Sequence, residues 1–170
     1  TPLSDIDMDS LMALELRMSA ERQLGIDIPL LLAPMAGVSG GELAAAVSRA
    51  GGLGFIGTGY MEEDWLRGEL AKAGNEKVGA GFITWSLKQS PSVLTGVLKH
   101  QPAAVMLSFG DPRPFVDEIR AAGALLICQC QNMDHVWDAI DVGADVVVVA
   151  LGLDAHQDDP LKGLAVTTEG

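Results

Sequence analysis

Six short apolar runs recur along this chain at intervals of 20–26 residues: Pro29–Ala33, Leu53–Gly57, Val78–Ile83, Ala104–Ser108, Leu125–Gln129 and Asp145–Ala150. Runs of that length read as strands covered on both faces, and each interval has room for a loop, a helix and a second loop. The first unit shows the pattern most clearly. In PLLLAPMAGVSGGELAAAVSRAGGLGFIG (Pro29–Gly57) an alanine-rich helix lies between two apolar strands and stops at Gly51-Gly52. Right-handed crossovers then set the strands side by side and parallel. The fold class is α/β: parallel βα repeats, either open or rolled towards a barrel, with about six strands.

Local signals place the helices. Ser39 followed three residues later by Glu42 has the spelling of a capping box. Ser90-Pro91 reads as an N-cap with proline at the first helical position, and Asn132 as the cap of a later helix. Gly51, Gly74, Gly123 and Gly143 each stand just past a helix, where a left-handed residue is wanted. The sets Leu66/Leu70/Ala73, Leu94/Val97/Leu98 and Val136/Ala139/Ile140 each predict one buried stripe. Ahead of the repeats, Leu11, Leu14 and Met18 share the face of a helix that starts at Asp9 and ends at Gly25. This predicts three segments: an N-terminal helical segment at 1–26, a βα domain at 27–150 and an acidic tail at 151–170.

A formal charge of −12 disfavours nucleic acid and anionic membrane surfaces as partners. No apolar run reaches the length of a membrane span, and no basic-plus-apolar leader precedes Ser4, so a cytoplasmic protein is expected. Cys128 and Cys130 alternate on one strand and share a face. An extended backbone holds sulfurs at that spacing too far apart for an unstrained disulfide, which leaves two core thiols. No metal site is expected.

The turn after the first strand falls at a carboxyl end, where α/β folds bind ligands. The words APMAG (Ala33–Gly37), ELAAAVSRAGGLGFIG (Glu42–Gly57), GAGFITW (Gly79–Trp85), LSFGDP (Leu107–Pro112), CQCQ (Cys128–Gln131) and DVGADVVVVA (Asp141–Ala150) follow one another in order. As a set they resemble the nitronate monooxygenase family, flavin-dependent barrels once called 2-nitropropane dioxygenases and related to enoyl reductases. The resemblance implies an FMN-dependent oxidoreductase that oxidises alkyl nitronates with O2. It implies flavin contacts from Ala33, Pro34, Met35 and Ala36, whose small residues let the backbone reach the ring, and from Gly81, Ser108, Gln129, Ala150 and Gly152. Family members often carry Asn where this chain has Gly81. After the sixth strand they carry Gln-Gly-x-Glu/Asp-Ala-Gly-Gly-His, whose His is the catalytic base. Here the corresponding stretch is Leu151-Gly152-Leu153-Asp154-Ala155-His156, so His156 stands two residues off register.

Both flanks have resemblances of their own. Asp9-Ser10-Leu11 is similar to the pantetheine attachment site of polyketide-synthase carrier proteins, with Ser10 as the acceptor. Val148–Gly170 is similar to zinc-dependent deacetylases and acetylpolyamine amidohydrolases, with Asp159 at a zinc-ligand position but without the upstream partners. Three partial resemblances in one chain predict a chimera. An eight-stranded barrel needs about two more units, so weak FMN binding and self-association over the exposed edge are expected. The competing expectation is a non-catalytic chimeric or engineered scaffold.

Overall fold

The computed structural model describes residues 10–59 and 63–149 of the chain. Helix α1 (Ser10–Leu24) precedes α2 (Gly41–Arg49) and strand β1 (Gly54–Gly57); α3 (Glu63–Ala73) then leads to β2 (Val78–Ile83). Two short helices, α4 (Thr84–Leu87) and α5 (Ser92–Leu98), connect to β3 (Ala104–Ser108). A 3-10 turn (Arg113–Phe115) and α6 (Val116–Ala121) lead to β4 (Leu125–Cys130), and α7 (Met133–Asp141) to β5 (Val146–Val149).

All neighbouring strands pair in parallel, and their order across the sheet equals their order in the chain. A doubly wound sheet reverses direction partway and carries helices on both faces. Here there is no reversal, and the helices lie on one face. Alternation along the strands makes the two faces distinct. Ile56, Ala80, Val105, Leu107, Leu126 and Cys128 point into an outer core shared with α2–α7. Leu53, Phe55, Ala104, Met106 and Ile127 form an inner core of strand residues closed by Leu24 and Ile26. Each fully buried Leu, Ile or Phe contributes about 1.5–3 kcal/mol. A parallel sheet in sequential order with one helical face is the barrel-like architecture.

The run Pro29–Ala33 differs from its expected form. It joins the sheet through one parallel bridge, Leu31 to Leu53, made by Leu32 N–H to Leu53 O (3.0 Å) and Leu53 N–H to Leu30 O (2.9 Å). Pro29 has no N–H to donate, and Leu30 N–H is turned back onto Ile28 O at 2.7 Å, so the ladder stops short. Among the described residues the sheet therefore has five strands and a bridged sixth stave.

The C-terminal end of α1 seals the amino ends of the strands. Lys77, one residue before β2, donates from Nζ to Leu24 O at 2.9 Å, and Gln23 Nε2 donates to Asp145 O at 2.6 Å. The lysine meets a carbonyl that has no partner within the helix, at the negative end of the helix dipole. With that end closed, the mouth of the inner face lies at the opposite, carboxyl end.

Two predicted stripes are corrected. Leu14 and Met18 on α1 are each 48 % exposed. On α7, Ala139 is buried and Val136 half-buried, but Ile140 is 52 % exposed, on one side with Met133 and Trp137. No helix among the described residues is long and apolar enough to cross a membrane.

Candidate functional site

The turn after the first stave is built around Ser39. Its hydroxyl accepts from Met35 N–H (2.7 Å) and donates to Met35 O (3.1 Å), while Ser39 N–H donates to the same carbonyl at 2.9 Å. The carbonyl of Ser39 accepts from Gly57 N–H (2.9 Å), which ties the turn to the end of β1. Ser39 is fully buried and does not cap α2, contrary to the capping-box spelling. Gly40 is the N-cap without a side-chain bond, and Glu69 of α3 supplies the missing acceptor, taking Gly41 N–H at 2.8 Å. Lys72 beside it, and that amide, hold the Glu69 carboxyl below its ordinary range despite burial. Ser90 is corrected too, since α5 begins at Ser92 with Pro91 as N-cap.

Glycines receive this turn. A Cβ on Gly57 would lie 2.4 Å from the Met35 carbonyl carbon, one on Gly59 2.3 Å from Ala36 Cβ, and one on Gly81 2.2 Å from Pro34 Cβ. Any side chain at these positions pushes the turn off the strand ends. The Gly81 carbonyl is already engaged, accepting from Thr58 Oγ1 (2.7 Å) and Thr58 N–H (3.0 Å). Gly81 therefore offers space and not a hydrogen bond.

Between this turn and the strand ends lies a cavity of about 370 Å³. Ala33, Pro34 and Ala36 line one side, and Gly81, Met106, Ser108 and Gln129 line the floor. The sheet register puts Ile83, Ser108, Gln129 and Val148 abreast. Ser108 is buried and Gln129 half-buried. Among the described residues, no charged side chain lines the cavity. An apolar slot with a hydroxyl and a carboxamide suits a flat, largely uncharged ring system with a few polar atoms.

Six of the expected residues thus come together: Ala33, Pro34, Ala36, Gly81, Ser108 and Gln129. Met35 is not on the lining; its backbone rests on Gly57 and its side chain is partly exposed. Ala150, Gly152 and His156 lie outside the described residues, as do Asp154 and Asp159. Ser10 is the first residue of α1. Phe109, on the lining immediately after Ser108, was not singled out from the sequence, although an aromatic at a strand exit before a glycine was visible there.

Cys128 and Cys130 face the helices, away from the cavity, as free buried thiols. Burial pushes Cys128 up to about 12 and raises Cys130 as well, so both are held as neutral thiols. Among the described residues no group of three or more His, Cys, Asp or Glu is placed to hold a metal ion.

The family model for nitronate monooxygenase matches residues 19–77. A nitronate monooxygenase of Pseudomonas aeruginosa is 32 % identical over 175 aligned positions, covering 79 % of this chain and 50 % of that protein. A probable nitronate monooxygenase of Staphylococcus haemolyticus is 45 % identical, covering 75 % and 46 % respectively. The solved structure of FabK from Thermotoga maritima superposes with a TM-score of 0.71 at 28 % identity, over 76 % of this chain and 42 % of that one. Nitroalkane oxidase from Streptomyces ansochromogenes gives 0.68 at 25 % identity, over 81 % and 49 %. The chain spans about half the length of the curated relatives it matches. The family model and the curated relatives agree that this chain is similar to the nitronate monooxygenase family.

Proposed function

We propose that the cavity at the carboxyl ends of the strands receives the isoalloxazine ring of FMN, and that the chain is the ring-holding part of an oxidoreductase resembling nitronate monooxygenase. The observation that carries this reading is the convergence of the Pro34 turn, Gly81, Ser108 and Gln129 on one uncharged slot. The residues present fit the ring. Gly57, Gly59 and Gly81 bring backbone down where a Cβ would stand, and Ser108 and Gln129 supply polar contacts. Among the described lining residues there is no cation for a phosphate.

Bound there, FMN supplies two-electron oxidation of an alkyl nitronate with O2 as the final acceptor. The chain's own residues would orient the ring and exclude water. His156 is the proposed base that takes the α-proton of a neutral nitroalkane to give the nitronate, on the family resemblance alone. The reading includes self-association, supported by Met133, Trp137 and Ile140 exposed on α7, the helix leading into β5 at the end of the described sheet. It includes a reducing, cytoplasmic setting, supported by two free thiols.

The test is titration of riboflavin and FMN against the purified chain, followed by flavin fluorescence. Quenching with a saturating isotherm supports the reading. A folded chain that leaves flavin fluorescence unchanged overturns it and favours a non-catalytic scaffold.

A further inference from the structure

Phe109 follows the last residue of β3 and lines the cavity, yet it is 49 % exposed. Its φ is +62°, a left-handed conformation uncommon for a bulky residue. The next residue, Gly110, is crowded by the start of α4. A Cβ on Gly110 would lie 3.1 Å from Thr84 Cβ and 3.4 Å from Trp85 N, so the turn is pressed onto the exit of β2. Thr84 Oγ1 is buried without a hydrogen-bond partner among the described residues. A residue held in a costly conformation by its surroundings, with half its surface in water, is not explained by core packing. What the geometry secures is an aromatic ring on the rim of an apolar slot that also presents Leu31, Ile83, Met106 and Val148.

We propose that Phe109 is a specificity-determining residue: its ring is the wall against which the hydrocarbon part of the substrate packs, so that the site ranks alkyl nitronates by chain length. The inference rests on the flavin reading above, since the alkyl chain must enter beside the ring that oxidises it. Longer straight-chain nitronates are then preferred over the one- and two-carbon members.

The test uses the FMN-loaded protein and unreactive anions shaped like nitronates: acetate, propionate, butanoate and hexanoate. Binding is read from the shift of the flavin visible bands. In the parent chain the dissociation constant should fall roughly two- to four-fold per added methylene. Phe109→Ala and Phe109→Gly, loaded with saturating FMN, should flatten that dependence to near unity, and Phe109→Leu should restore part of it. Phe109→Gly should melt no lower than the parent, because glycine adopts the left-handed conformation freely. An equal chain-length dependence in parent and Phe109→Ala overturns the inference. So does loss of FMN binding in Phe109→Ala, which would make the ring a cofactor contact, or a clearly lower melting temperature for Phe109→Gly, which would make it structural. A parent chain that takes up no flavin overturns the reading beneath it and this inference with it.

Discussion

Pro34 occupies the space a side chain at position 81 would need: a Cβ on Gly81 falls 2.2 Å from Pro34 Cβ and 2.3 Å from Pro34 Cγ. The turn that forms one wall of the cavity is thus seated on β2 by an atom-sized gap. Gly81→Ala forces the proline outward and should destabilise the fold by about 1–3 kcal/mol, the usual cost of overpacking. Flavin affinity should fall at least about tenfold, since the displaced wall lines the slot. Thermal melting and flavin titration of the same variant check both effects.

Ser39 makes a sharper prediction about the same turn. Removing its buried hydroxyl strips Met35 N–H of the acceptor at 2.7 Å. Ser39→Ala should therefore cost about 1–3 kcal/mol in urea unfolding, the penalty of a buried unsatisfied donor. A helix cap lost from α2 would give a similar number. Exchange of the Met35 amide separates the two, because only the turn account predicts that this amide loses protection.

Glu69 sets an acid limit. Its folded pKa lies below the ordinary carboxylate value, chiefly through the hydrogen bond from Lys72 and then that from Gly41 N–H. A depressed carboxylate stabilises the fold above its unfolded pKa, and that contribution is lost as pH falls through the folded value. Stability should decline below about pH 4.5, and Glu69→Gln should be less stable than the parent at pH 7 while the difference narrows towards pH 3. Urea unfolding as a function of pH reads the slope directly.

His156 lies in the segment that family resemblance assigns to proton transfer. A nitroalkane must lose its α-proton before oxidation, whereas a nitronate already has. His156→Asn should lower turnover of neutral nitroalkanes by about 10²–10⁴-fold and leave preformed nitronates much less affected. Oxygen consumption with the two substrate forms measures the ratio, and an equal loss with both would remove His156 from the role of base.

The strands were legible because each is an apolar run bounded by polar residues or glycine; β2 and β3 span the expected residues. The first stave was shortened by forces that hydropathy does not report, the missing amide of Pro29 and the tight turn at Leu30. The spelling of Ser39 and Glu42 suggested a cap, but Met35 captured the serine through a local hydrogen bond of the kind that competes with helix ends. On α7 two apolar stripes overlap in the sequence, and burial chose Val136 and Ala139 over Ile140. Ala33, Pro34, Ala36, Gly81, Ser108 and Gln129 could be named in advance because they carry words shared with a family. Phe109 could not, because nothing in a phenylalanine announces a left-handed backbone.

The most direct measurement is riboflavin fluorescence against increasing concentrations of the intact chain, with far-UV circular dichroism recorded on the same sample. A slot closed by Pro34, Ser108 and Gln129 predicts saturable quenching, retained when FMN replaces riboflavin and weakened in Gly81→Ala. Unquenched riboflavin beside a fully developed α/β spectrum would contradict the account, because the fold would then be present without the ring site it is said to build.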